Sequence, residues 1–136
     1  MDIRIHLESC GPSFIPPLST YVNISDYARR LADRAFTLEY WHNNILIALV
    51  AMYMNDTKER IAFISNISTL SNYQGQGLAS DLLHKAIAHA RDLGFTQVAL
   101  EVNELNTPAI KLYERNAFVR VAAMDGRWTM HLTLTL

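Results

Sequence analysis

Two glycines, Gly75 and Gly77, stand where a predicted strand gives way to a predicted helix. Residues 61–69 are rich in apolar and β-branched side chains, which favours a strand. Residues 78–93 carry apolar side chains at helical spacing, and Gly94 supplies a natural end. Glycine lets the backbone take positive φ and approach a ligand closely, and a helix N-terminus presents unpaired N–H groups. The loop is therefore predicted to bind an anion such as a phosphate or a pyrophosphate.

Several kinds of loop share this arrangement of glycines. A Walker-type phosphate loop needs Lys and then Ser or Thr after its last glycine, and Leu78 and Ala79 stand there, which nearly excludes it. A dinucleotide fingerprint needs a third Gly or Ala where this chain has Ser80, although Glu101 is a candidate for its acidic residue. That interpretation stays open as a minor alternative. A plain strand-to-helix turn without a ligand is the remaining alternative.

A second motif lies downstream, where Leu100-Glu-Val, Asn106, Ala109-Ile-Lys-Leu-Tyr113 and Ala117-Phe118 follow one another. Together with Gln74-Gly-Gln-Gly77-Leu-Ala79, it resembles the GNAT superfamily of acetyl-CoA-dependent N-acetyltransferases. That family's cofactor loop reads Gln/Arg-x-x-Gly-x-Gly/Ala, and its second motif is a strand, an Asn, a helix with Ala-Ile-x-Leu-Tyr and a closing Gly-Phe. The resemblance covers residues 63–118 and fades over the first sixty. The one departure is Ala117 in place of Gly, from which we expect an unstrained backbone at that turn.

The resemblance implies acetyl-CoA as the co-substrate and no metal. It implies cofactor-binding residues in three segments: Ile67, Ser68 and Thr69; Gln74, Gly75, Gln76, Gly77, Leu78, Ala79 and Ser80; and Asn106, Ala109 and Tyr113. The backbone of the first segment would bond the pantetheine arm, with one N–H directed at the thioester oxygen. The loop would hold the pyrophosphate, and Asn106 would bond the pantetheine amide. Tyr113 occupies the family's acid position, from which a phenol can donate to the departing thiolate.

The general base is left open by the sequence. The family often has an acidic residue near the position of Phe63, and this chain has none there. Glu101, Glu39 and Asn66 acting through water are the candidates. Cys10 has no His or acid partner that the sequence places beside it, so we expect direct transfer without an acetyl-cysteine intermediate.

Composition and charge limit the class of protein. The 136 residues suit one domain, 1–136, and the balance of 50% hydrophobic to 18% charged residues is typical of a globular chain. A net charge of −1 without a basic run argues against nucleic acid as a partner. The single cysteine, the polar N-terminus and the lack of a long apolar run predict a cytoplasmic protein with no membrane partner.

The expected partner is a small-molecule primary amine, and the expected enzyme is a monomer or homodimer. The poorly matched first half should bind this acceptor, with the predicted lining being Phe14 to Ser19, Tyr21, Tyr53 and Trp128. A peptide N-terminus is the alternative acceptor. A non-catalytic CoA- or nucleotide-binding module is the alternative outside this class of enzyme. His84 and His89, five residues apart on one helix, are expected to be surface residues without a shared metal.

The elements that must position these residues form a mixed α/β order. Ile3, Ile5 and Leu7 alternate with polar residues and predict a first strand, and residues 11–17 predict an irregular connection. The later predictions are a helix capped by Ser25, a hairpin of 36–41 and 45–54, a strand at 61–69, a helix at 78–93, a strand at 96–102, a short helix capped by Thr107, and a hairpin of 119–124 and 128–136. By the resemblance, the sheet is mostly antiparallel, with parallel strands that splay apart at the cofactor site and with flanking helices.

Overall fold

The computed structural model describes residues 2–134. In chain order the elements are α1 (Asp2–Cys10), α2 (Ile24–Arg34), β1 (Phe36–His42), β2 (Ile45–Tyr53), β3 (Ile61–Thr69), α3 (Leu78–Asp92), β4 (Gln97–Asn103), α4 (Thr107–Arg115), β5 (Val119–Met124) and β6 (Arg127–Thr133). Short 3₁₀ turns cover Gly11–Ser13, Leu18–Thr20 and Ser71–Tyr73. The six strands form one sheet in the order β1-β2-β3-β4-β6-β5, antiparallel except between β3 and β4. The predicted fold class is confirmed.

The N-terminal segment is a helix, so the predicted strand on Ile3, Ile5 and Leu7 is wrong. Helix α1 buries Ile3, His6, Leu7 and Cys10, which recur at intervals of three and four residues. Ile5, which the strand pattern assigned to the core, is 52% exposed. The alternation of apolar residues was misleading because it treated His6 as a surface residue and Ile5 as a core residue.

Two helices begin at an asparagine one or two residues before the predicted cap. The Asn23 side chain accepts from Asp26 N at 3.0 Å and caps α2, in place of Ser25. The Asn106 side chain accepts from Ala109 N at 3.3 Å and caps α4, in place of Thr107. Asn caps a helix about as well as Ser or Thr does, so residue type could not decide between neighbouring candidates.

Both predicted hairpins are confirmed over the described residues, and residues 135 and 136 of the last predicted strand lie outside that range. The β1–β2 pairing closes at His42 opposite Ile45, around Asn43 and Asn44 with φ of 49° and 62°. The β5–β6 pairing closes at Met124 opposite Arg127, around Asp125 and Gly126 with φ of 53° and 78°. Two central residues with positive φ are typical of the tight turn whose twist matches that of paired strands.

Helices cover both faces of the sheet, and β2 runs between them. Val50 and Met52 belong to the core under α3 and α4, whereas Leu49 and Ala51 belong to the core under α1 and α2. A strand buried on both faces reads as a continuous apolar run, as residues 45–52 do. The C-terminal helices and the N-terminal helices are therefore anchored to opposite sides of one strand.

The parallel strands β3 and β4 pair over only part of their length. Pairing runs from Ile61 opposite Gln97 to Ile64 opposite Leu100, and it stops there. Ser65 is an extra residue in the β2–β3 ladder, because Met52 pairs with Ile64 and Ala51 with Asn66. Such a bulge bends its strand, and β3 parts from β4 immediately after it. The predicted splay is confirmed.

Helix α4 ends in a strained turn at Ala117. Phe118 N bonds Tyr113 O at 3.1 Å and Ala117 N bonds Glu114 O at 3.1 Å, which is the Schellman pattern that usually holds glycine. Ala117 takes a left-handed φ of 71°. The expectation of an unstrained backbone at this departure from the family pattern is therefore wrong, because the hydrogen bonds that close the helix impose the left-handed conformation on whichever residue stands there.

Substituting Ala117→Gly should raise the free energy of unfolding by about 0.5–1 kcal/mol. The left-handed backbone costs an alanine about 1–2 kcal/mol, and the larger entropy of glycine in the unfolded chain cancels part of the relief. Urea unfolding measures the change. Ala88→Gly, at an exposed position inside α3, is the matched control and should lose about 1 kcal/mol. Equal losses in the two variants would contradict the strain at Ala117.

Candidate active site

A cavity of about 580 Å³ opens where β3 and β4 part. Its walls come from the loop after α1, from α2, from the second half of β3, from the end of β4, from α4 and from the β5–β6 hairpin. The cavity beside the bulge in β3 is therefore lined by residues that are more than a hundred positions apart in the chain. A single cleft with convergent polar groups between separated strands is the kind of site in which small molecules bind.

The predicted cofactor-binding residues divide into two groups around this cavity. The lining contains Ile67, Ser68, Thr69, Gln74, Asn106, Ala109 and Tyr113. The remaining predicted residues, Gly75, Gln76, Gly77, Leu78, Ala79 and Ser80, follow Gln74 as the loop and first turn of α3 and lie outside the lining. The motif on α4 therefore lines the cavity itself, whereas the glycine-loop motif reaches it only through Gln74.

The free edge of β3 offers backbone groups to a ligand. Beyond Ile64 the strand keeps its pairing with β2 on one side and has lost β4 on the other. An extended molecule can add to such an edge through backbone hydrogen bonds. At the end of the edge the Gln74 side-chain amide donates to Thr69 O at 3.2 Å, which ties the glycine loop to the strand.

The glycine loop turns directly into the N-terminus of α3. Gly75 and Gly77 take φ of 80° and 78°, and Gly77 caps the helix without a side-chain bond. A Cβ at either glycine would meet no atom within 4 Å, so glycine is required by the backbone conformation and leaves open space in front of the loop. The first hydrogen bond of the helix runs from Asp81 N to Gly77 O. The N–H groups of residues 78–80 therefore have no acceptor within the helix. This geometry suits an anion.

Tyr113 reaches the cavity from α4 with its ring buried against Phe118, the ring centroids being 5.9 Å apart. Burial raises the pKa of the Tyr113 phenol to about 12. Desolvation is the cause, since a phenolate would lose its hydration there. The hydroxyl thus stays protonated at neutral pH and can act as a hydrogen-bond donor toward the cleft.

The three candidate bases occupy different places. Glu101 lines the cavity at the end of β4, with its side chain 47% exposed and its Oε1 4.0 Å from Arg127 Nη1. Asn66 also lines the cavity and is 5% exposed. Glu39 lies on β1, where its carboxylate accepts from two side chains of that strand, and it is not among the lining residues. Geometry therefore leaves Glu101 as the candidate with a titratable carboxylate in the cleft.

The residues predicted to line the acceptor site lie in different places. Phe14, Ile15, Pro16, Leu18 and Tyr21 line the cavity, whereas Pro17 and Ser19 of the predicted segment do not. Tyr53 instead packs in the core under α1 and α2, and Trp128 packs in the core under α3 and α4. Each of these two aromatics lies on a strand, where the face toward the helices is decided by register and not by residue type.

Two further residues, Tyr27 and Arg127, line the cavity although the sequence did not single them out. Tyr27 of α2 donates from its hydroxyl to Ser65 O at 2.9 Å, at the bulge itself. Arg127 lies with its guanidinium 5.6 Å from the centre of the Tyr21 ring, joining the β5–β6 hairpin to the N-terminal loop. No sequence signal distinguished Arg127 from the other arginines.

A buried histidine lies behind the cavity wall and was also missed. His6 is 2% exposed, and its Nδ1 lies 2.8 Å from Leu46 O while its Nε2 lies 2.8 Å from Ser68 Oγ. Ser68 Oγ is in turn 2.8 Å from Asn66 Oδ1. Burial lowers the pKa of His6, which favours the uncharged imidazole. The helical register of Ile3, Leu7 and Cys10 would have marked His6 as buried had the segment been recognised as a helix.

Other candidates for chemistry are inert or lie elsewhere. Cys10 is buried, and burial raises the pKa of its thiol to about 11, so it is a poor nucleophile at neutral pH. His84 is exposed, but His89 is half-buried and stacks on Phe36 at 3.8 Å, contrary to the prediction of a surface residue. Among residues 2–134, no group of three or more His, Cys, Asp or Glu side chains is arranged to hold a metal ion. The described helices include none long and apolar enough to cross a membrane.

Comparison with known proteins identifies the family. A Mycothiol acetyltransferase from Geodermatophilus obscurus is 49% identical over 55 residues, 40% of this chain and 18% of that protein. An uncharacterised N-acetyltransferase from Mycobacterium bovis is 28% identical over 81% of this chain and 73% of its own length. The PaiA N-acetyltransferase of Thermoplasma acidophilum, solved with coenzyme A, superposes with a TM-score of 0.71 at 14% identity over 98% of this chain and 89% of its own. The model of the acetyltransferase (GNAT) family matches residues 2–118, and the chain therefore belongs to that family.

Proposed function

We propose that the chain transfers an acetyl group from acetyl-CoA directly to the primary amine of a small acceptor. The observation that carries the proposal is the cleft between β3 and β4, which has a free strand edge, a glycine loop at one end and a protonated phenol inside. An extended thioester with an anionic end would use all three. Membership of a family of acetyltransferases supports the same chemistry.

Acetyl-CoA would lie along β3 with its pyrophosphate at the start of α3. The N–H groups of residues 78–80 and the positive end of the 15-residue helix would bind the phosphates. The pantetheine arm would bond the open edge at Ile67, Ser68 and Thr69, as an added strand does. The coenzyme A held by the Thermoplasma relative of the same fold supports this choice of cofactor.

The chemical step would proceed by attack of the amine on the thioester carbonyl. A carbon–nitrogen bond forms, the carbon–sulfur bond breaks, and the electron pair leaves on sulfur. Tyr113 would donate its hydroxyl proton or a hydrogen bond to the departing thiolate. Glu101 is the carboxylate in the cleft that would take the proton which the acceptor nitrogen loses, and Arg127 beside it keeps positive charge near that carboxylate.

The acceptor would enter between the N-terminal loop and the β5–β6 hairpin. Phe14, Ile15 and Tyr21 offer apolar surface there, and Glu101 and Asp125 offer negative charge to an ammonium group. The contact of Arg127 with Tyr21 connects the two sides of this proposed entrance, and this supports a small amine over a long peptide. A peptide N-terminus remains the alternative acceptor to be included in any test.

Free thiol release from acetyl-CoA across a panel of amines, amino acids, amino sugars and short peptides tests the function. We expect acceptor-dependent release with at least one small amine, together with calorimetric binding of CoA and acetyl-CoA. NAD and ATP should not bind at comparable concentration. Tight binding of NAD without CoA would contradict the proposal and would revive the dinucleotide interpretation of the glycine loop.

Gly77→Val should weaken CoA binding by about tenfold or more. A β-branched residue resists the left-handed φ of 78°, so the loop would relax away from the anion-binding conformation at a cost of about 1–3 kcal/mol. Gln76→Ala is the matched control in the same loop and should change affinity little, since only its backbone would contact the phosphates. Calorimetry with CoA measures both. Equal weakening by the two variants would contradict the backbone-cradle model.

Tyr113→Phe should lower kcat and kcat/KM by about 10²-fold while CoA affinity stays within a few-fold. The ring still packs against Phe118, but the thiolate loses its donor, and general-acid assistance is worth about 10²–10⁴ in rate. Tyr40→Phe is the control, because that hydroxyl bonds Lys85 outside the cleft. Steady-state kinetics with an identified acceptor give the comparison. An unchanged kcat in Tyr113→Phe would reduce this residue to a packing role.

A further inference from the structure

A continuous chain of polar contacts leads from the backbone of β2 through α1 into the cavity wall. Leu46 O, the two ring nitrogens of His6, Ser68 Oγ and the Asn66 amide follow one another at 2.8 Å steps. His6, Ser68 and Asn66 are each at most 6% exposed, so bulk water does not compete for these bonds. Ser68 and Asn66 both line the cavity, whereas His6 does not. The histidine can thus influence the cleft only through its neighbours.

The proton count along this chain allows two arrangements. Leu46 O is a carbonyl and only accepts, so the proton of His6 stays on Nδ1. When the imidazole is uncharged, Nε2 accepts the hydroxyl proton of Ser68, and Asn66 can then donate its amide Nδ2 to Ser68 Oγ, which the Cys10 thiol also contacts. When the imidazole is charged, Nε2–H donates to Ser68, whose hydroxyl then donates to Asn66 Oδ1. In the structure Asn66 Oδ1 faces Ser68 Oγ, so the uncharged arrangement requires a half-turn of this amide, which is nearly symmetric in shape.

The half-turn changes what the acceptor amine meets in the cleft. In the uncharged arrangement Asn66 turns its carbonyl oxygen away from Ser68 toward the cavity, and this oxygen can accept an N–H of the amine. That bond would leave the nitrogen lone pair free for the thioester carbon. In the charged arrangement Asn66 turns its NH₂ group to the cavity. This donor would then face the N–H groups of the amine, or it would bond the nitrogen lone pair that must attack the thioester.

We propose that His6 is a positioning residue for acetyl transfer, which sets through Ser68 the end of the Asn66 amide that faces the acceptor amine. The inference rests on the proposed function for its effect on turnover, but the coupling between His6 and Asn66 exists in the protein alone. His6 touches neither substrate nor cofactor in this scheme, and its role is separate from those of Tyr113 and Glu101.

The groups around His6 favour the productive, uncharged arrangement at neutral pH. Burial lowers the pKa of His6, and the negative charge of Glu39 on β1 opposes this to a smaller degree. Cys10 on its own helix remains a neutral thiol, and burial also raises the pKa of Tyr27 on α2, which keeps that phenol neutral. Asp2 borders the small cavity on the other side of His6. Since the pKa of His6 in the folded protein lies below that of a free imidazole, the population of the unproductive arrangement should rise as the pH falls through that lower value.

A nuclear magnetic resonance titration of the protein without ligands tests the coupling. With ¹⁵N-labelled histidine and asparagine, His6 should keep Nδ1 protonated and titrate at Nε2. The Asn66 side-chain NH₂ signals, identified by their loss in Asn66→Asp, should shift with the same midpoint. Ser68→Ala should abolish the shift of Asn66, and Ser68→Thr, which keeps a hydroxyl, should retain it. His84→Gln, at an exposed site on α3, is the control and should change neither titration.

Kinetics test the consequence for turnover. The ratio of kcat/KM for the acceptor between wild type and Ser68→Ala cancels the titration of the amine itself. We expect a ratio of about 3- to 10-fold above the His6 midpoint, the size of one neutral hydrogen bond, falling toward one below it. Acetyl-CoA affinity should be equal in the two proteins. Ser68→Thr should restore the wild-type profile.

The outcomes separate this inference from the proposed function. If Asn66 fails to follow His6 in wild type, or if the ratio is independent of pH while acetyl transfer proceeds, the positioning role of His6 is wrong. If the coupling is present and no amine in the panel is acetylated, the proposed function fails instead. A coupled titration together with a pH-dependent ratio supports the inference.

Discussion

The separation of β3 from β4 after Ile64 is the constraint on which the rest of the molecule depends. Upstream of that point the two strands share a parallel ladder, and helices cover both faces of the sheet. Downstream, the extra residue Ser65 bends β3 while β2 still holds it on the other side. Unpaired backbone inside a domain is costly unless water or a ligand satisfies it. The open edge is therefore tolerable only as the wall of a cleft, and the cofactor proposed for it would supply the missing partners.

The fold separates the demands of stability from those of the site. Strand β2 is buried on both faces and anchors the two helical layers, so the cleft can remain open without loss of the core. At Tyr113 the same burial serves stability and the site, because burying the ring in the core also raises the pKa of the phenol and keeps the hydroxyl protonated. His6 shows the same on the opposite face, where helix α1 packs on the sheet and brings an imidazole against Ser68. In both cases one burial event serves packing and electrostatics together.

Ala117 and the two glycines of the loop before α3 all take a left-handed backbone conformation, but for different reasons. Ala117 takes a left-handed conformation because the hydrogen bonds that end α4 leave no other choice, although the family pattern places glycine there. Gly75 and Gly77 take the same region of φ without a side chain, in front of open space. Ala117 lies outside the cavity lining, whereas a side chain in the glycine loop would stand where the proposed phosphates would bind. The departure from the family motif therefore costs stability and not chemistry.

Local chemistry determined much of this protein from the sequence alone. The two hairpins follow from turn residues that accept positive φ, and the loop before α3 follows from glycines between a strand pattern and a helix pattern. The motif around Asn106 and Tyr113 led to the prediction of cofactor-binding residues there, and Asn106, Ala109 and Tyr113 line the cavity. The tertiary structure alone decided that α1 is a helix, that Tyr53 and Trp128 lie outside the cavity lining, and that His6 reaches Ser68 across 62 positions. Those outcomes depend on which faces pack together over long sequence separations, and a periodicity of apolar residues carries no information about a partner so far along the chain.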